Sequence, residues 1–517
     1  MKFRAKPISF EAGGKGVVIL NKADVETLGI HVLDRVFITK DKKTLIAIVD
    51  VTEKFAEQGV AVTNSELNKF FKLKLGDEIE IVPAEAPESV KFVKQKITGA
   101  RLDASKIRAI VQDVVERHLS EIELSAFVSA LEIYGLSMDE AEGLSNAMVE
   151  TGKQFTIPGR VICDKHSIGG VPGDKTSLIG VPIIAAAGLT IPKTSSRAIT
   201  SAAGTADRME VLAPVDLSID EIKKVVKKTN GCLVWGGSLE LAPADDVFIQ
   251  VEYPLGVDPL LLPSIMSKKR AVNARYVIID IPTGRGAKIK TTGSAYSLAS
   301  DFRELGRRMG MEVACTITFG EQPIGKAIGP ALEAREALQT LEGKGPPDLI
   351  EKVTQVVGTL FDLVGKNRIE GKKHAMNILK NKKALRKMRE IIGEQGGNPK
   401  IKASDIKLGK KNVSVRSKKS GKVLWMKNAE IAAIAREAGT PKDKGAGILF
   451  NKKIGDSVKK GEKTLTIYAE NTRKLNNALK MVGEMEPVIV DKRIENRMLT
   501  GIFPTEIPHR RIFMLER

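Results

Sequence analysis

The sequence has few of the residues that build disulfides or metal centres. It contains three cysteines (Cys163, Cys232 and Cys315) and five histidines in 517 residues. An odd cysteine count without CxxC spacing gives no disulfide framework, and the histidines lack the HxH and HExxH spacings of zinc sites. Each cysteine lies in an apolar, strand-like run. We therefore expect reduced, buried thiols, with no metal and no organic cofactor.

Long apolar runs and aromatic residues are scarce as well. No stretch approaches 18 consecutive apolar residues, and no apolar segment follows the basic start MKFRAKPISFEAGGKG. We therefore expect no transmembrane helix and no secretory signal, and hence a cytoplasmic protein. Aromatic residues make up 4% of the chain, which is few for the stacking platforms of single-strand nucleic-acid binders.

Positive charge is in excess, with 82 Lys and Arg against 63 Asp and Glu and a formal net charge of +19. Such an excess attracts either nucleic acids or small polyanions. In the densest basic region, Lys366–Lys427, Glu370, Glu390 and Glu394 are interleaved with the lysines. We interpret this region as a solvated helix face and expect no nucleic-acid partner. A basic nucleic-acid-binding protein is the non-enzymatic alternative.

The N-terminal part of the chain predicts two small domains, since 517 residues exceed one ordinary core. Short alternating strands predict a β-barrel over residues 1–85. Within it, two segments share a pattern of a polar turn, a short helix, Leu-Gly, Asp and a strand. They are LNKADVETLGIHVLDRVFI and TNSELNKFFKLKLGDEIEIV, and the shared pattern indicates an internal duplication. A period of about 3.6, with capping boxes that begin at Ser120 and Ser137, predicts a helical domain over 96–158.

The remaining sequence predicts a larger α/β unit and a C-terminal domain. Continuous apolar strands alternate with helical segments over 159–341, which is typical of a largely parallel sheet with both faces covered. A helical connector follows at 348–412, and strand-rich sequence at 413–517 predicts an α+β domain. The expected fold class is therefore a multidomain α/β protein.

A glycine-rich loop, DKHSIGGVPGDKTSL at 164–178, joins a predicted strand to a predicted helix. This geometry directs backbone N–H groups and a helix N-terminus at an anion. Lys165 adds charge, and Ser167 and Ser177 add hydroxyl donors. The loop contains neither GxxxxGK[ST] nor GxGxxG, so it belongs to neither of those nucleotide-binding classes. On composition alone, a plain turn is an equal alternative.

A second polar loop, within TIPKTSSRAITSAAGTADRMEV, also follows a predicted strand. It concentrates anion-binding side chains at Ser195, Ser196, Arg197, Thr200, Ser201 and Thr205. Two such loops at the ends of neighbouring parallel strands lie where α/β sheets bind ligands. The alternative is a serine-rich loop that caps its own backbone.

These loops, together with SIMSKK at 264–269, resemble the thymidine phosphorylase family, whose motif reads DKHSTGGVGDxTS. The resemblance covers 159–341 and the C-terminal domain, and the extra N-terminal domain is similar to the archaeal AMP phosphorylase branch. It implies that AMP and inorganic phosphate, as co-substrate, give adenine and ribose 1,5-bisphosphate, with CMP and UMP as further substrates. It also implies a homodimer or larger homo-oligomer that acts in nucleotide degradation.

The resemblance implies site residues by matching position. The phosphate-binding positions are Lys165, Ser167, Ser177, Ser195 and Thr205. The nucleotide-binding positions are Gly170, Ser196, Arg197, Ala198, Ile199, Thr200, Ser201, Thr205, Ser264 and Lys288. Asp258 matches the proton donor. Because a solvated aspartate is ionised at pH 7, we expect an apolar site that raises the pKa of Asp258; a helix cap before Pro259 is the alternative.

Departures from the family pattern bear on the substrate. Ile168 replaces the usual Thr, and Pro172 is an additional residue. The pyrimidine-nucleoside branch has an Arg on the base side shortly before SIMSKK, whereas this chain reads FIQVEYPLGVD there, without an Arg. At 282–288 this chain reads PTGRGAK, where that branch has a glycine-rich turn that ends in an aromatic or apolar residue. Both differences favour a charged nucleotide over thymidine. A pyrimidine-nucleoside phosphorylase is the nearest alternative, and a phosphoribosyltransferase, which would need an acidic Mg²⁺ motif, is more distant. The roles of His166 and Lys268 stay open.

Overall fold

A computed structural model describes residues 1–198, 201–365 and 369–491. The chain forms a β-barrel, a helical layer, a parallel sheet covered by helices and a C-terminal α+β region. The predicted fold class is therefore confirmed. Of the helices in the described ranges, none is both long and apolar enough to cross a membrane.

The N-terminal region is a closed six-stranded barrel with the strand order β1-β5-β2-β4-β3-β6. Its elements are β1 (Lys2–Pro7), β2 (Val17–Asn21), α1 (Lys22–Leu28), β3 (Arg35–Lys40), β4 (Lys43–Thr52), β5 (Val60–Thr63), α2 (Ser65–Phe71) and β6 (Glu78–Pro83). The two duplicated segments fold alike, because each short helix follows a strand and begins after an asparagine cap, Asn21 or Asn64. Alternate side chains of β1, β2 and β6 are buried and fill the barrel.

Four helices form the layer after the barrel. They are α3 (Ser89–Ile97), α4 (Ala104–Val115), α5 (Glu121–Tyr134) and α6 (Met138–Glu150). The predicted capping boxes are present, since Ser120 and Ser137 each exchange hydrogen bonds with a glutamate three residues later. Buried aliphatic residues on one face of α4 pack into the core of this layer.

The central sheet contains five parallel strands. They are β7 (Ile162–Ser167), β8 (Ile191–Ser195), β9 (Gly231–Trp235), β10 (Ala274–Thr283) and β11 (Glu312–Phe319). The ladder β11-β10-β7 meets the pair β8-β9 through a parallel bridge between Ile162 and Thr190. The carboxyl ends of β7, β8 and β10 therefore lie at one edge of the sheet, where both polar loops begin.

Helices cover both faces of this sheet and form two separate cores. They are α7 (Thr176–Ala186), α8 (Thr205–Met209), α9 (Ile219–Thr229), α10 (Pro243–Leu255), α11 (Leu261–Ala271), α12 (Thr292–Arg308), α13 (Pro330–Leu341), α14 (Pro347–Val364), α15 (Gly371–Lys380) and α16 (Lys383–Glu394). α10 differs from the others because it packs into the core of the helical layer. The turn between α10 and α11 thus joins the helical layer to the α/β unit.

The C-terminal region contains two small antiparallel sheets, with the orders β12-β15-β17-β13 and β16-β14-β18. Its elements are β12 (Ala327–Ile328), β13 (Lys411–Arg416), β14 (Gly421–Met426), α17 (Asn428–Glu437), β15 (Gly447–Phe450), β16 (Ser457–Val458), β17 (Lys463–Ala469), α18 (Thr472–Met485) and β18 (Val488–Asp491). Because β12 belongs in sequence to the central region, it ties the two regions together.

Candidate active site

The glycine-rich loop leaves the carboxyl end of β7 and enters α7. Gly169, Gly170 and Gly173 have φ angles of 82°, 86° and 79°, a conformation that favours glycine. A Cβ on Gly170 would lie 2.6 Å from the backbone nitrogen of Lys288. The close approach therefore brings together two of the predicted nucleotide-binding positions, which are 118 residues apart in sequence.

Lys165 and Ser167 lie on β7 at the start of this loop. Lys165 is buried, with its Nζ 3.9 Å from a carboxylate oxygen of Asp174. Burial lowers the pKa of Lys165, and the negative charges of Asp174 and Asp280 oppose that shift. Ser167 donates a hydrogen bond to Asp280 at 3.0 Å. The loop thus holds a buried cation whose charge water screens little.

A buried network behind Ser167 was missed by the sequence analysis. The fully buried carboxylate of Asp280 also accepts a hydrogen bond from the Thr318 hydroxyl at 2.6 Å. Nζ of Lys352, on α14, lies 2.8 Å from Asp280 and 3.0 Å from the Thr318 hydroxyl. In the sequence, Asp280 was marked only as the single acidic residue in the apolar strand YVIIDIP. Nothing in the sequence marked Lys352, which lies outside every motif.

The other predicted phosphate-binding residues lie at the same edge of the sheet. Ser177 is buried in the first turn of α7. Ser195 ends β8 and donates a hydrogen bond to the Val234 carbonyl at 3.1 Å. Thr205 begins α8, and its hydroxyl accepts a hydrogen bond from Arg208 at 3.4 Å. These hydroxyls therefore come from the end of the glycine loop and from the second polar loop.

The second polar loop is folded around the carboxylate of Asp207. The backbone N–H groups of Ala198 and Gly204 both donate to Asp207, at 2.7 Å and 2.8 Å. Ser196 and Ser201 are exposed on the loop, whereas Ile199 and Thr200 lie outside the described residues. The loop therefore presents serine side chains outward while its backbone is fixed from within.

Arg197 is held by carboxylates of the protein itself. Its guanidinium donates to Glu210 at 2.9 Å and 2.6 Å and to Asp216 at 3.4 Å. It also lies over the Trp235 ring, 4.9 Å from the centroid. Lys444 of the C-terminal region reaches the same Glu210 carboxylate. In this arrangement the Arg197 charge is already neutralised, and the side chain ties the loop to α8.

Asp258 lies in the turn between α10 and α11, where it pairs with Lys288. The Nζ of Lys288 donates to Oδ2 of Asp258 at 2.6 Å, and the two side chains are 45% and 43% exposed. Lys288 therefore contacts the acid through its side chain and approaches the glycine loop through its backbone.

Two expectations about the surroundings of Asp258 are wrong. The predicted apolar site does not enclose Asp258, because that side chain is 43% exposed and α10 leaves Leu255 50% exposed, although Leu260 is buried. The alternative role as a helix cap fails as well. α11 begins after Leu260, and that cap position makes no side-chain hydrogen bond. The side chain of Asp258 is instead directed to Lys288.

Ser264 and Lys268 lie one turn apart on α11. Nζ of Lys268 forms an ion pair at 2.5 Å with Asp245, which is fully buried near the start of α10. Burial lowers the pKa of Lys268, but the charges of Asp245 and Asp246 outweigh that effect and raise it. Lys268 is therefore a firmly charged donor on the same side of the molecule as Asp258.

Glu252, on the last turn of α10, is a second carboxyl group near Asp258 that the sequence analysis missed. Its side chain is 6% exposed, and its Oε1 accepts a hydrogen bond from the Leu260 N–H at 3.2 Å. Burial, together with the weaker effect of the charges of Asp258 and Asp245, raises the pKa of Glu252 to about 7, although the Leu260 hydrogen bond and the charge of Lys288 lower it. At neutral pH this carboxyl is therefore partly protonated.

His166 lies beside a buried cluster on the opposite side of β7 from Lys165. Asp164 is buried between two lysines, with Lys193 Nζ at 3.4 Å and Lys269 Nζ at 2.6 Å. Burial and these lysines lower the pKa of His166 well below its ordinary value. His166 is therefore neutral at physiological pH, which excludes a cationic role in anion binding.

One group of residues in the described part of the chain has the composition of a metal site. Ligand atoms of Asp113, Glu116 and His118 lie within 4.8 Å of one another at the end of α4. His118 Nδ1 is paired with Asp113 at 2.9 Å and Glu116 at 3.3 Å. These residues satisfy one another, and none of them belongs to the predicted site.

The sequence matches three family descriptions, one after another along the chain. Residues 90–152 match "Glycosyl transferase family, helical bundle domain", and residues 159–385 match "Glycosyl transferase family, a/b domain". Residues 423–486 match "Pyrimidine nucleoside phosphorylase C-terminal domain". In this order, the three matches fall on the helical layer, on the central sheet with its helices and on the C-terminal region.

Curated relatives are similar over the full length. An AMP phosphorylase of Thermofilum pendens is 44% identical over 517 residues, which is 100% of both chains. One of Thermococcus kodakarensis is 49% identical over 493 residues, 95% of this chain and 97% of the relative. Among solved structures, an anthranilate phosphoribosyltransferase from Thermus thermophilus has a TM-score of 0.51 at 18% identity, covering 59% of this chain and 98% of that one. That likeness concerns the fold.

Proposed function

This chain belongs to the AMP phosphorylase family, and on that premise we propose that it cleaves AMP with inorganic phosphate into adenine and ribose 1,5-bisphosphate. A phosphate oxygen attacks C1′ of the ribose while the C1′–N bond breaks and its electron pair leaves with the base. A proton must then reach the base. The structural observation that supports this function is the contact of Lys288 with both the glycine loop and Asp258.

The attacking phosphate binds at the glycine loop in this proposal. Lys165 supplies a buried charge, and Ser177 and Thr205 supply hydroxyl donors. Ser167 and Ser195 already donate to Asp280 and to the Val234 carbonyl, so each hydroxyl must turn from that partner before it can donate to phosphate. The network of Asp280, Thr318 and Lys352 holds Ser167 in place until then. The buried cation of Lys165 is the fixed charge that stabilises the anion without reorganising.

The phosphate of the nucleotide binds between Gly170, Lys288 and the second polar loop. Ser196 and Ser201 are exposed on that loop, and Ser264 lies on α11; we assign their hydroxyls to this phosphate. Arg197 contributes by holding the loop, because Glu210 and Asp216 occupy its guanidinium. Two phosphates then approach one ribose, and the positive charges of Lys165 and Lys288 offset the repulsion between them.

Asp258 delivers the proton to the leaving base. An acid held at the leaving base donates its proton as the C1′–N bond breaks. Lys288 holds the Asp258 side chain by a hydrogen bond of 2.6 Å. Because the same lysine binds the nucleotide phosphate in this proposal, it orients both the acid and the substrate.

Further properties belong to the same proposal. CMP and UMP are additional substrates, the reaction needs no metal or organic cofactor, and the protein is a cytoplasmic homo-oligomer. A pyrimidine-nucleoside phosphorylase would use the same glycine loop but would have no need for Lys288 near it. A nucleic-acid-binding role would instead produce steeply salt-dependent binding of RNA.

The experiment compares AMP, adenosine and thymidine as substrates in the presence of phosphate, with release of the free base measured by chromatography. We expect adenine from AMP, with little from adenosine, because the 5′-phosphate engages Lys288. Release of thymine from thymidine without adenine from AMP would overturn the assignment in favour of the nucleoside phosphorylase.

A further inference from the structure

The C-terminal region contacts the turn that carries Lys288. This turn, residues 284–288, follows β10, and Asn428, the first residue of α17, packs against it. Asn428 is 2% exposed, and its Nδ2 donates to the Gly320 carbonyl at 2.9 Å and to the Gly286 carbonyl at 3.3 Å. One amide group of the C-terminal region thus connects the two segments that follow β10 and β11.

The contact between Asn428 and Gly286 leaves no space for a side chain on the turn. A Cβ on Gly286 would lie 2.9 Å from Asn428 Nδ2. The Oδ1 of Asn428 is buried and has no hydrogen-bond partner within the described ranges. A buried acceptor without a partner lowers the stability of a protein. Stabilisation of the fold is therefore a poor explanation for this side chain, whereas control of the turn that it contacts is a direct one.

A second contact between the turn and the C-terminal region comes from Arg285. Its guanidinium lies over the ring of Trp425, on β14, 4.9 Å from the centroid. Its backbone N–H and its Nε both donate to the Glu321 carboxylate, each at 2.9 Å. The turn is therefore anchored to the C-terminal region at two successive residues, Arg285 and Gly286.

Lys288 lies two residues after this anchor, within a turn that its own backbone closes. The Ala287 N–H donates to the Gly284 carbonyl, and the Gly284 N–H donates to the Ile289 carbonyl, each at 3.0 Å. A turn closed in this way moves as a unit, so a displacement at its anchor also displaces Lys288. The position of the Lys288 ammonium group therefore depends on the contact with Asn428.

The second polar loop also contacts the C-terminal region. Nζ of Lys444 pairs with Glu210 and lies 3.9 Å from a carboxylate oxygen of Asp207, which fixes the backbone of that loop. Both segments that we assign to the nucleotide phosphate thus rest on the same part of the chain.

We propose that Asn428 is a positioning residue for Lys288, through which the C-terminal region sets the affinity for the 5′-phosphate of the nucleotide. This inference rests on the proposed function, in which Lys288 binds that phosphate. Asn428 holds Gly286, the turn holds Lys288, and Lys288 contacts the phosphate. Removing Asn428 therefore weakens AMP binding only while Lys288 is present.

The test measures the Kd of AMP by calorimetry without inorganic phosphate, so that no phosphorolysis occurs. The variants are Asn428→Ala, Lys288→Met and the double substitution. We expect Asn428→Ala to weaken AMP binding at least about fivefold in the wild-type background but less than about twofold in the Lys288→Met background, because residues that act through one another have non-additive effects. The matched control is Thr464→Ala, which removes a buried hydrogen bond of 3.2 Å to the Val415 carbonyl within the C-terminal region.

A second variant, Gly286→Ala, perturbs the same contact from the turn. The φ angle of Gly286 lies outside the left-handed region, so the added Cβ acts through its collision with Asn428. We expect the same loss of AMP affinity as in Asn428→Ala. Its control is Gly293→Ala on α12, where a Cβ meets nothing within 4 Å. Circular dichroism identifies any variant that fails to fold, and the remaining variant then decides the outcome.

Two results would overturn the inference. One is an equal loss of AMP affinity when Asn428→Ala is added to wild type and to Lys288→Met, because that result identifies a general effect on the fold. The other is unchanged AMP affinity in Asn428→Ala and Gly286→Ala. A wild type that binds AMP but releases no adenine once phosphate is added removes the proposed reaction instead, and the binding comparison stands without it.

Discussion

Lys288 donates a hydrogen bond to Asp258 at 2.6 Å, and its backbone nitrogen lies against Gly170. One residue thus links the turn that carries the proposed acid to the loop that binds phosphate. An ammonium group has three donors, so Lys288 can hold Asp258 and contact a substrate phosphate at the same time. In our account this lysine orients the acid and the nucleotide together.

Replacing Lys288 by Met should weaken AMP binding and slow turnover. A charged hydrogen bond contributes about 1.5–3 kcal/mol, so KM for AMP should rise by about tenfold to a hundredfold. The matched control is Lys290→Met, since Lys290 is an exposed neighbour that donates only to the Arg285 carbonyl at 3.0 Å in the described structure. Initial rates with varied AMP measure the effect. Equal KM values in both variants would contradict the role of Lys288.

Substituting alanine at Gly170 and at Gly169 separates backbone strain from the contact with Lys288. Both glycines have φ angles above 80°, so each alanine costs about 1–2 kcal/mol of strain. A Cβ at Gly170 would meet Lys288, whereas a Cβ at Gly169 meets nothing within 4 Å. We expect Gly170→Ala to lose more thermal stability than Gly169→Ala, because its Cβ would lie 2.6 Å from a backbone nitrogen, and we expect only Gly170→Ala to raise KM for AMP. Similar KM values in the two variants would show that the contact between Gly170 and Lys288 does not affect AMP binding.

Lys352→Met should impair the use of inorganic phosphate more than that of AMP. The substitution leaves Asp280 buried with its hydroxyl partners alone, which costs about 3 kcal/mol of unfolding free energy. Ser167 then loses its fixed orientation, so KM for phosphate should increase. Denaturant titration and phosphate-dependent rates provide the measurements, and exposed Lys344→Met is the control. A loss of stability with KM for phosphate unchanged would restrict the network to a structural role.

The titration of Glu252 predicts how stability depends on pH. Its pKa rises from 4.5 to about 7 on folding. Within this window the native state keeps a proton that the unfolded chain has lost, so the free energy of unfolding falls as pH rises. Because E252Q does not titrate, its stability relative to wild type should increase by about 3 kcal/mol across the window. Denaturant titrations at several pH values test this, and a constant difference would contradict the raised pKa.

Much of the fold was predictable because its signals are local. The capping boxes at Ser120 and Ser137 fix helix starts within four residues, and the apolar strands of the central sheet mark its position without tertiary information. The glycine loop was recognisable because positive φ angles and close backbone approach restrict the residue type.

The surroundings of the acid were not predictable in the same way. The leucines next to Asp258 in sequence indicated an apolar site, but exposure depends on how α10 packs on the helical layer, and that packing turns Leu255 to solvent. Partners such as Lys288 and Lys352 arrive from elements 30 or more residues away, since chain topology rather than spacing brings them together. The proton held by Glu252 depends on charges from several segments and leaves no motif.

The most direct test of the central claim follows phosphorus by nuclear magnetic resonance while the protein acts on AMP and inorganic phosphate. We predict that one phosphate is consumed for each adenine released, and that the sugar product carries phosphate at both C1 and C5. Asp258→Asn should slow both changes together. Release of adenine without consumption of phosphate, with ribose 5-phosphate as the sugar product, would show hydrolysis and contradict the account.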